Sequence, residues 1–148
     1  MKHFHFMKIA IKEAVFAYKE NEIPIGAVII HNNIVIAKTH NLTETLSNIT
    51  AHAEILAINL ASNYLGKKYI NECTLYVTLE PCIMCAGAIF WSKIGKIVWG
   101  TSNYNNNGFL SYGIKLHPKT KYISGIMKNQ CKSLIHNFFL KKRNNKLK

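Results

Sequence analysis

The run Cys73-Thr74-Leu75-Tyr76-Val77-Thr78-Leu79 is nearly continuous in apolar and β-branched side chains. Successive side chains of a strand point to opposite faces, so a run of this kind predicts a strand buried on both faces of a sheet. Helices must then cover the sheet above and below.

The rest of the chain supplies them. Ile9, Val15 and Phe16, with Ala10, Ala14 and Ala17, recur at helical spacing among Lys8, Lys12, Glu13 and Lys19, which predicts an amphipathic first helix. Pro24 stops any continuation. Ile25 to Ile30 and Ile34 to Ala37 are β-branched runs around His31-Asn32-Asn33, a tripeptide suited to a hairpin because asparagine tolerates left-handed backbone. His40 to Thr50 is polar and aperiodic and reads as a loop, with Asn41 just past the second strand. Thr50 is the candidate N-cap of a largely apolar helix that includes Ile55, Leu56, Ile58 and Leu60.

Beyond the central strand, Pro81 leads into a helix over Cys82 to Trp91. Lys96 to Gly100 is a short strand, followed by a polar loop through Asn103, Tyr104 and Asn105-Asn106-Asn107. Tyr122 to Ser124 is a last short strand, and Leu134, Ile135, Phe138 and Phe139 mark a C-terminal helix ending in Lys141-Lys142-Arg143 and a basic tail over 141–148. With no linker or repeat, the 148 residues form one domain, of the α/β class, with a central sheet sandwiched by helices.

A formal net charge of +12 points to a polyanionic partner, although Arg143 is the only arginine and a lysine-, asparagine- and isoleucine-rich genome would produce part of that excess. The four cysteines, at 73, 82, 85 and 131, accompany no signal segment, which argues against a secreted disulfide framework. No apolar run reaches the roughly 18 residues of a membrane span. A cytoplasmic protein without membrane contact is expected.

His52-Ala53-Glu54 and Pro81-Cys82-Ile83-Met84-Cys85 carry the chemistry. One imidazole and two thiolates are three ligands of a tetrahedral zinc, leaving the fourth place to water. A helix start at Cys82 favours anionic sulfur. A bound zinc lowers the pKa of water toward roughly 7, and Glu54 then has protons to move. Two other readings compete. Cys-x-x-Cys alone also serves as a redox pair. A structural zinc would need a fourth protein ligand, for which Cys73, Cys131, His40 and His117 are the candidates.

Taken together, these two motifs resemble the signature of zinc-dependent nucleoside and nucleobase deaminases. The longer stretches Ile23–Val28, Thr50–Ile55 and Thr74–Ala88 are similar to those of the bacterial tRNA-specific adenosine deaminases, and the similarity extends from the first helix to Phe138-Phe139. The resemblance implies a three-layer α/β/α cytidine-deaminase-like fold with a mixed five-stranded sheet, a homodimer, and one zinc per subunit held by His52, Cys82 and Cys85, with Glu54 as proton shuttle. It implies conversion of the wobble adenosine of a tRNA anticodon stem-loop to inosine. It places Asn41 at a hydrogen bond to the flipped nucleoside, Ile23 against the base, and Ala53 and Asn103 among the substrate contacts.

Two features depart from that pattern. Asn103 stands where most relatives carry an aspartate, in a loop that is asparagine-rich and one residue shorter, which leads to the expectation of weaker discrimination between RNA and single-stranded DNA. Ile89-Phe90-Trp91 is a context shared with guanine deaminases, so a small-molecule deaminase is the competing activity. A nucleic-acid-binding module with structural zinc, or an inactive partner subunit, is the third reading, and the intact Glu54 opposes it.

Overall fold

The structure is a computed structural model that describes residues 2–146. Its elements follow as α1 (Lys2–Lys19), β1 (Gly26–His31), β2 (Ile34–His40), α2 (Ala53–Leu65), β3 (Cys73–Leu79), α3 (Ile83–Ser92), β4 (Lys96–Thr101), β5 (Lys121–Ile123) and α4 (Lys128–Lys146). The strands form one sheet in the order β2-β1-β3-β4-β5. β1 runs antiparallel to β2 and β3, whereas β3, β4 and β5 are mutually parallel, so the sheet is mixed as expected. β3 lies at its centre, where its doubly apolar sequence belongs.

Alternation along the strands divides the interior into two cores. Ala27, Ile29, Leu75, Val77, Ile97 and Trp99 meet Ala53, Ala57 and Ala61 of α2 and Ala86 and Ile89 of α3. Val28, Ile30, Tyr76 and Val98, on the opposite face, meet Phe6, Met7 and Ala10 of α1 and Cys131 of α4. Each fully buried large aliphatic side chain contributes roughly 1.5–3 kcal/mol. The helices approach closely because small groups lie beneath them: a Cβ on Gly26 would collide with the backbone of Ala10 and Ala14, and one on Gly100 with the Cys131 thiol. Cys73 and Cys131 are buried free thiols, in keeping with packing roles.

The hairpin forms where expected but turns on Asn32-Asn33 alone, with φ of 52° and 63°, while His31, expected in the turn, ends β1 and pairs with Ile34. Both φ values are those of the primed two-residue turn that matches strand twist. Thr50 is not the cap of α2. Its amide and hydroxyl are captured by Asn48 Oδ1 at 2.9 and 2.8 Å, a local side-chain turn that competes with helix formation, and His52 takes the N-cap position instead. The basic segment expected as a tail is helical through Lys146, since lysine and arginine are good helix formers that favour a helix C-terminus; residues 147 and 148 lie outside the described residues. Among the described residues, no helix is long and apolar enough to cross a membrane.

Candidate active site

Both ligand-bearing segments are helix starts at one end of the sheet. β3 runs through Glu80 and Pro81 into α3, whose N-cap is Cys82, and the loop after β2 delivers His52 to the same position on α2. Thr39 Oγ1, on β2, donates to the Ala53 carbonyl at 2.7 Å and fixes the start of α2 against the sheet. Neither cap side chain bonds its own helix amides, in contrast to the usual capping serine or aspartate. The imidazole and the thiol are free to face one another.

His52 Nδ1 lies 3.6 Å from Cys82 Sγ and 3.5 Å from Cys85 Sγ, and the three ligand atoms are all within 4.8 Å of each other. Zinc–sulfur and zinc–nitrogen bonds of their ordinary lengths, set at the tetrahedral angle, place N and S about 3.6 Å apart. The residues therefore fit a metal ion, and among the described residues this is the group of His, Cys, Asp and Glu that does so. A fourth protein ligand is absent from that group: Cys73, Cys131, His40 and His117 are not part of it. His40 is instead bonded to Glu13 and Glu20 at 3.2 and 3.1 Å.

The electrostatics favour anionic sulfur. Hydrogen bonding from the Cys85 thiol draws Cys82 down to about 4 against the cost of burial, with His52 adding to the pull. Cys85 is pushed up by donating that bond and by its burial. The two thiols share one negative charge until a cation compensates the second.

Glu54 sits in the first turn of α2 and is 4 % exposed. Burial raises its carboxyl to about 7, and the Cys82 thiolate adds to the effect. Its Oε1 is buried without a hydrogen-bond partner. An orphaned buried carboxylate oxygen is costly, and a metal-and-water group next to it would satisfy it.

The other expected site residues occupy graded positions. Asn41 is 3 % exposed, and its Nδ2 donates to Glu22 Oε1 at 3.5 Å and Thr43 Oγ1 at 3.4 Å. The bond from Leu42 N to Ala51 O, 3.0 Å, brings its neighbourhood against that of His52. Ile23 is half-buried at the mouth of β1, and Ala53 is fully buried as the first residue of α2, where its amide has no intrahelical acceptor. Asn103 is half-buried, and its Nδ2 donates to the Glu80 carbonyl at 2.9 Å. Trp91 is 73 % exposed, and by helical rise it stands about 13 Å from Cys82 and about 9 Å from Cys85 along α3.

Two acids went unread in the sequence. Glu22 is fully buried and accepts from Thr45 Oγ1 and the amides of Thr45 and Glu44. Glu80 is 5 % exposed and accepts from the amides of Asn103 and Leu110. Next to the loop that Glu80 holds, a groove of about 910 Å³ lies between the segment after β4 and α4, lined by Tyr104, Asn103 and Phe139 and by Lys128, Lys132, Lys142, Arg143 and Lys146, with no acidic residue among the described residues of its wall.

The profile of the MafB19-like deaminase family matches residues 1–144. The tRNA-specific adenosine deaminase of Aquifex aeolicus is 39 % identical over 148 aligned positions, covering 95 % of this chain and 96 % of that protein. A solved structure from work on A-to-I editing by tRNA:A34 deaminases at the tRNA wobble position is 35 % identical and superposes with a TM-score of 0.82 over 88 % of this chain and 98 % of the other. The guanine deaminase of Bacillus subtilis is 36 % identical with a TM-score of 0.66, over 69 % of this chain and 66 % of the other. The chain belongs to the MafB19-like deaminases, within the family of the tRNA-specific adenosine deaminases.

Proposed function

We propose that this protein hydrolyses the exocyclic amine from the wobble adenosine of a tRNA anticodon loop, releasing ammonia and leaving inosine. The observation that carries the reading is the orphaned Oε1 of buried Glu54 beside a His52, Cys82, Cys85 donor set spaced for a tetrahedral ion. Zinc is the ion that this donor set suits.

When bound, zinc supplies a water acidic enough, with a pKa of about 7, to give hydroxide at neutral pH. Glu54 takes one proton of the attacking water and hands it to the ring nitrogen, then takes the proton of the new C6 hydroxyl and delivers it to the departing amine as the C6–N bond breaks. Burial favours its protonated form, which suits a group that must hold a proton between transfers. Asn41, held by Glu22 and Thr43, keeps its Oδ1 for the nucleoside, Ile23 packs on the base, and the Ala53 amide and Asn103 border it.

The acid-free basic groove on α4 supports a nucleic acid over a free base. An anticodon-loop base is already partly unstacked, which lowers the cost of extruding it into a pocket. The tRNA-specific adenosine deaminase of Aquifex aeolicus matches 95 % of this chain and the guanine deaminase of Bacillus subtilis 69 %, which supports the tRNA substrate over a free base. A tRNA substrate accords with a cytoplasmic protein. Leu60, Tyr64, Ile83 and Trp91 are exposed on α2 and α3, and a second copy of the chain covering them would make the expected homodimer.

The test is an ammonia and inosine assay on transcribed tRNA, free guanine and free adenosine, with Glu54→Ala alongside. Inosine in tRNA that vanishes in the variant is the expected result. Turnover of guanine alone would transfer the site to a small-molecule deaminase, and no turnover at full zinc occupancy would leave a binding module.

A further inference from the structure

Glu80 precedes the ligand Cys82 by two residues, and its carboxylate is spent wholly on the loop that follows β4. Oε1 accepts the Asn103 amide at 3.2 Å, Oε2 accepts the Leu110 amide at 3.1 Å, and the Glu80 carbonyl accepts Asn103 Nδ2 at 2.9 Å. Pro81 O accepts the Phe109 amide at 2.9 Å, and Cys82 forms an isolated bridge with Gly108. Three consecutive residues thus fasten both ends of the 103–110 loop. Gly108 is required by space, since its φ of −78° is open to any residue but a Cβ there would strike the Glu80 carboxylate.

Between the fastened ends the loop has little to hold it. Asn105, Asn106 and Asn107 are exposed, and two of them adopt positive φ. Tyr104 packs edge-on against Phe139 of α4 at 5.0 Å, so this loop forms the wall of the basic groove opposite α4. A buried carboxylate bonded to two amides is stronger than neutral hydrogen bonds would be.

We propose that Glu80 is a positioning residue for the nucleic-acid substrate: it locks the groove wall that carries Asn103 and Tyr104 to the Pro81-Cys82 turn, so that the flanking nucleotides and the reacting base are held in one register. The inference rests on the nucleic-acid reading above. Glu80 acts through the loop and touches no reacting atom.

The experiment compares wild type with Glu80→Gln, Glu80→Ala, Gly108→Ala and the double variant Glu80→Ala/Gly108→Ala on a tRNA anticodon stem-loop, with zinc content measured for each. Glu80→Gln and Gly108→Ala should raise KM about tenfold, the weaker end for losing hydrogen bonds to a charged group. Zinc content and kcat should stay near wild type. The double variant should be no worse than Glu80→Ala, because the added methyl occupies the space that the carboxylate leaves. An unchanged KM with zinc retained, or a kcat that falls only in step with lost zinc, overturns the proposal.

A second measurement needs no substrate. Hydrogen exchange at the Asn103 and Leu110 amides should be at least about tenfold faster in Glu80→Gln, by the same hydrogen-bond strength, while Ile97 in β4 keeps its protection; equal protection at all three overturns the clamp. A wild type inactive on the stem-loop but showing this exchange pattern would fail the substrate reading and leave the clamp standing without its assigned role, which likewise overturns the positioning claim.

Discussion

His52 and Cys82 occupy the same place on two different helices: each is the residue before the first helical turn, and Nδ1 lies 3.6 Å from Sγ. A cation between them ties α2 to α3 across one end of the sheet. On the proposed function the cluster would then be a structural tie as well as a chemical centre, with metal binding coupled to folding.

Cys82→Ala and Cys85→Ala should both lose zinc and melt lower than the loaded wild type. Saturating metal a thousandfold above Kd is worth about 4 kcal/mol, on the order of 10 °C in a domain of this size. Metal analysis with calorimetry checks this, and a variant that keeps zinc and the wild-type Tm would not have lost a ligand.

Glu54→Ala should separate activity from stability. Turnover should fall by a factor of about 10² to 10⁴, the ordinary contribution of a positioned acid–base group, with zinc retained. Stripped of metal, the variant should melt no lower than stripped wild type, because there it removes a buried oxygen that has no partner. Ammonia release and thermal melting, measured on the same preparation, test both halves.

Glu22 gives a pH signature away from the metal. Burial works to raise its carboxyl, but hydrogen bonds from Thr45 and Glu44 outweigh it and hold the carboxyl below its ordinary 4.5. Its stabilising contribution is therefore complete above pH 4.5 and is lost as pH falls through the lower folded value. Glu22→Gln should melt lower at neutral pH and show a flatter acid limb as pH falls below the ordinary 4.5; parallel profiles would remove Glu22 from the account of acid stability.

Lys132→Glu and Lys142→Glu reverse charges in the wall of the basic groove. Each should raise KM for the stem-loop and reduce the slope of log affinity against log salt by about one, with kcat nearly unchanged. Titrations at several salt concentrations read this directly, and an unaltered slope would place the RNA elsewhere.

Asn103→Asp tests the departure from the family pattern. Asparagine donates Nδ2 to the Glu80 carbonyl, and an ionised aspartate has no proton to give there. The aspartate should increase the ratio of rates on an RNA stem-loop and its DNA counterpart while lowering thermal stability; an identical ratio would separate residue 103 from discrimination.

Legibility in the sequence followed the range of the constraint. Metal ligation demands particular side chains at short spacing, so His52, Cys82, Cys85 and Glu54 stood out, and the positive φ of Asn32 and Asn33 was legible because few residues tolerate it. The doubly apolar β3 fixed the centre of the sheet for the same local reason. Glu22 and Glu80 were not legible, because their partners are backbone amides 22 to 30 residues away and amides are the same in every residue. Thr50 looked like a cap, but a side chain two residues before it, Asn48, had already taken its amide and hydroxyl.

α4 is anchored to the sheet by Cys131, Ile135 and Phe138, while every residue from Lys141 to Lys146 is exposed. Three of the five lysine and arginine residues of the groove, Lys142, Arg143 and Lys146, therefore sit in turns that the interior does not need. Lysines in those turns can be gained or lost in a lineage without disturbing the chemistry at His52, which lets substrate affinity drift independently of catalytic power.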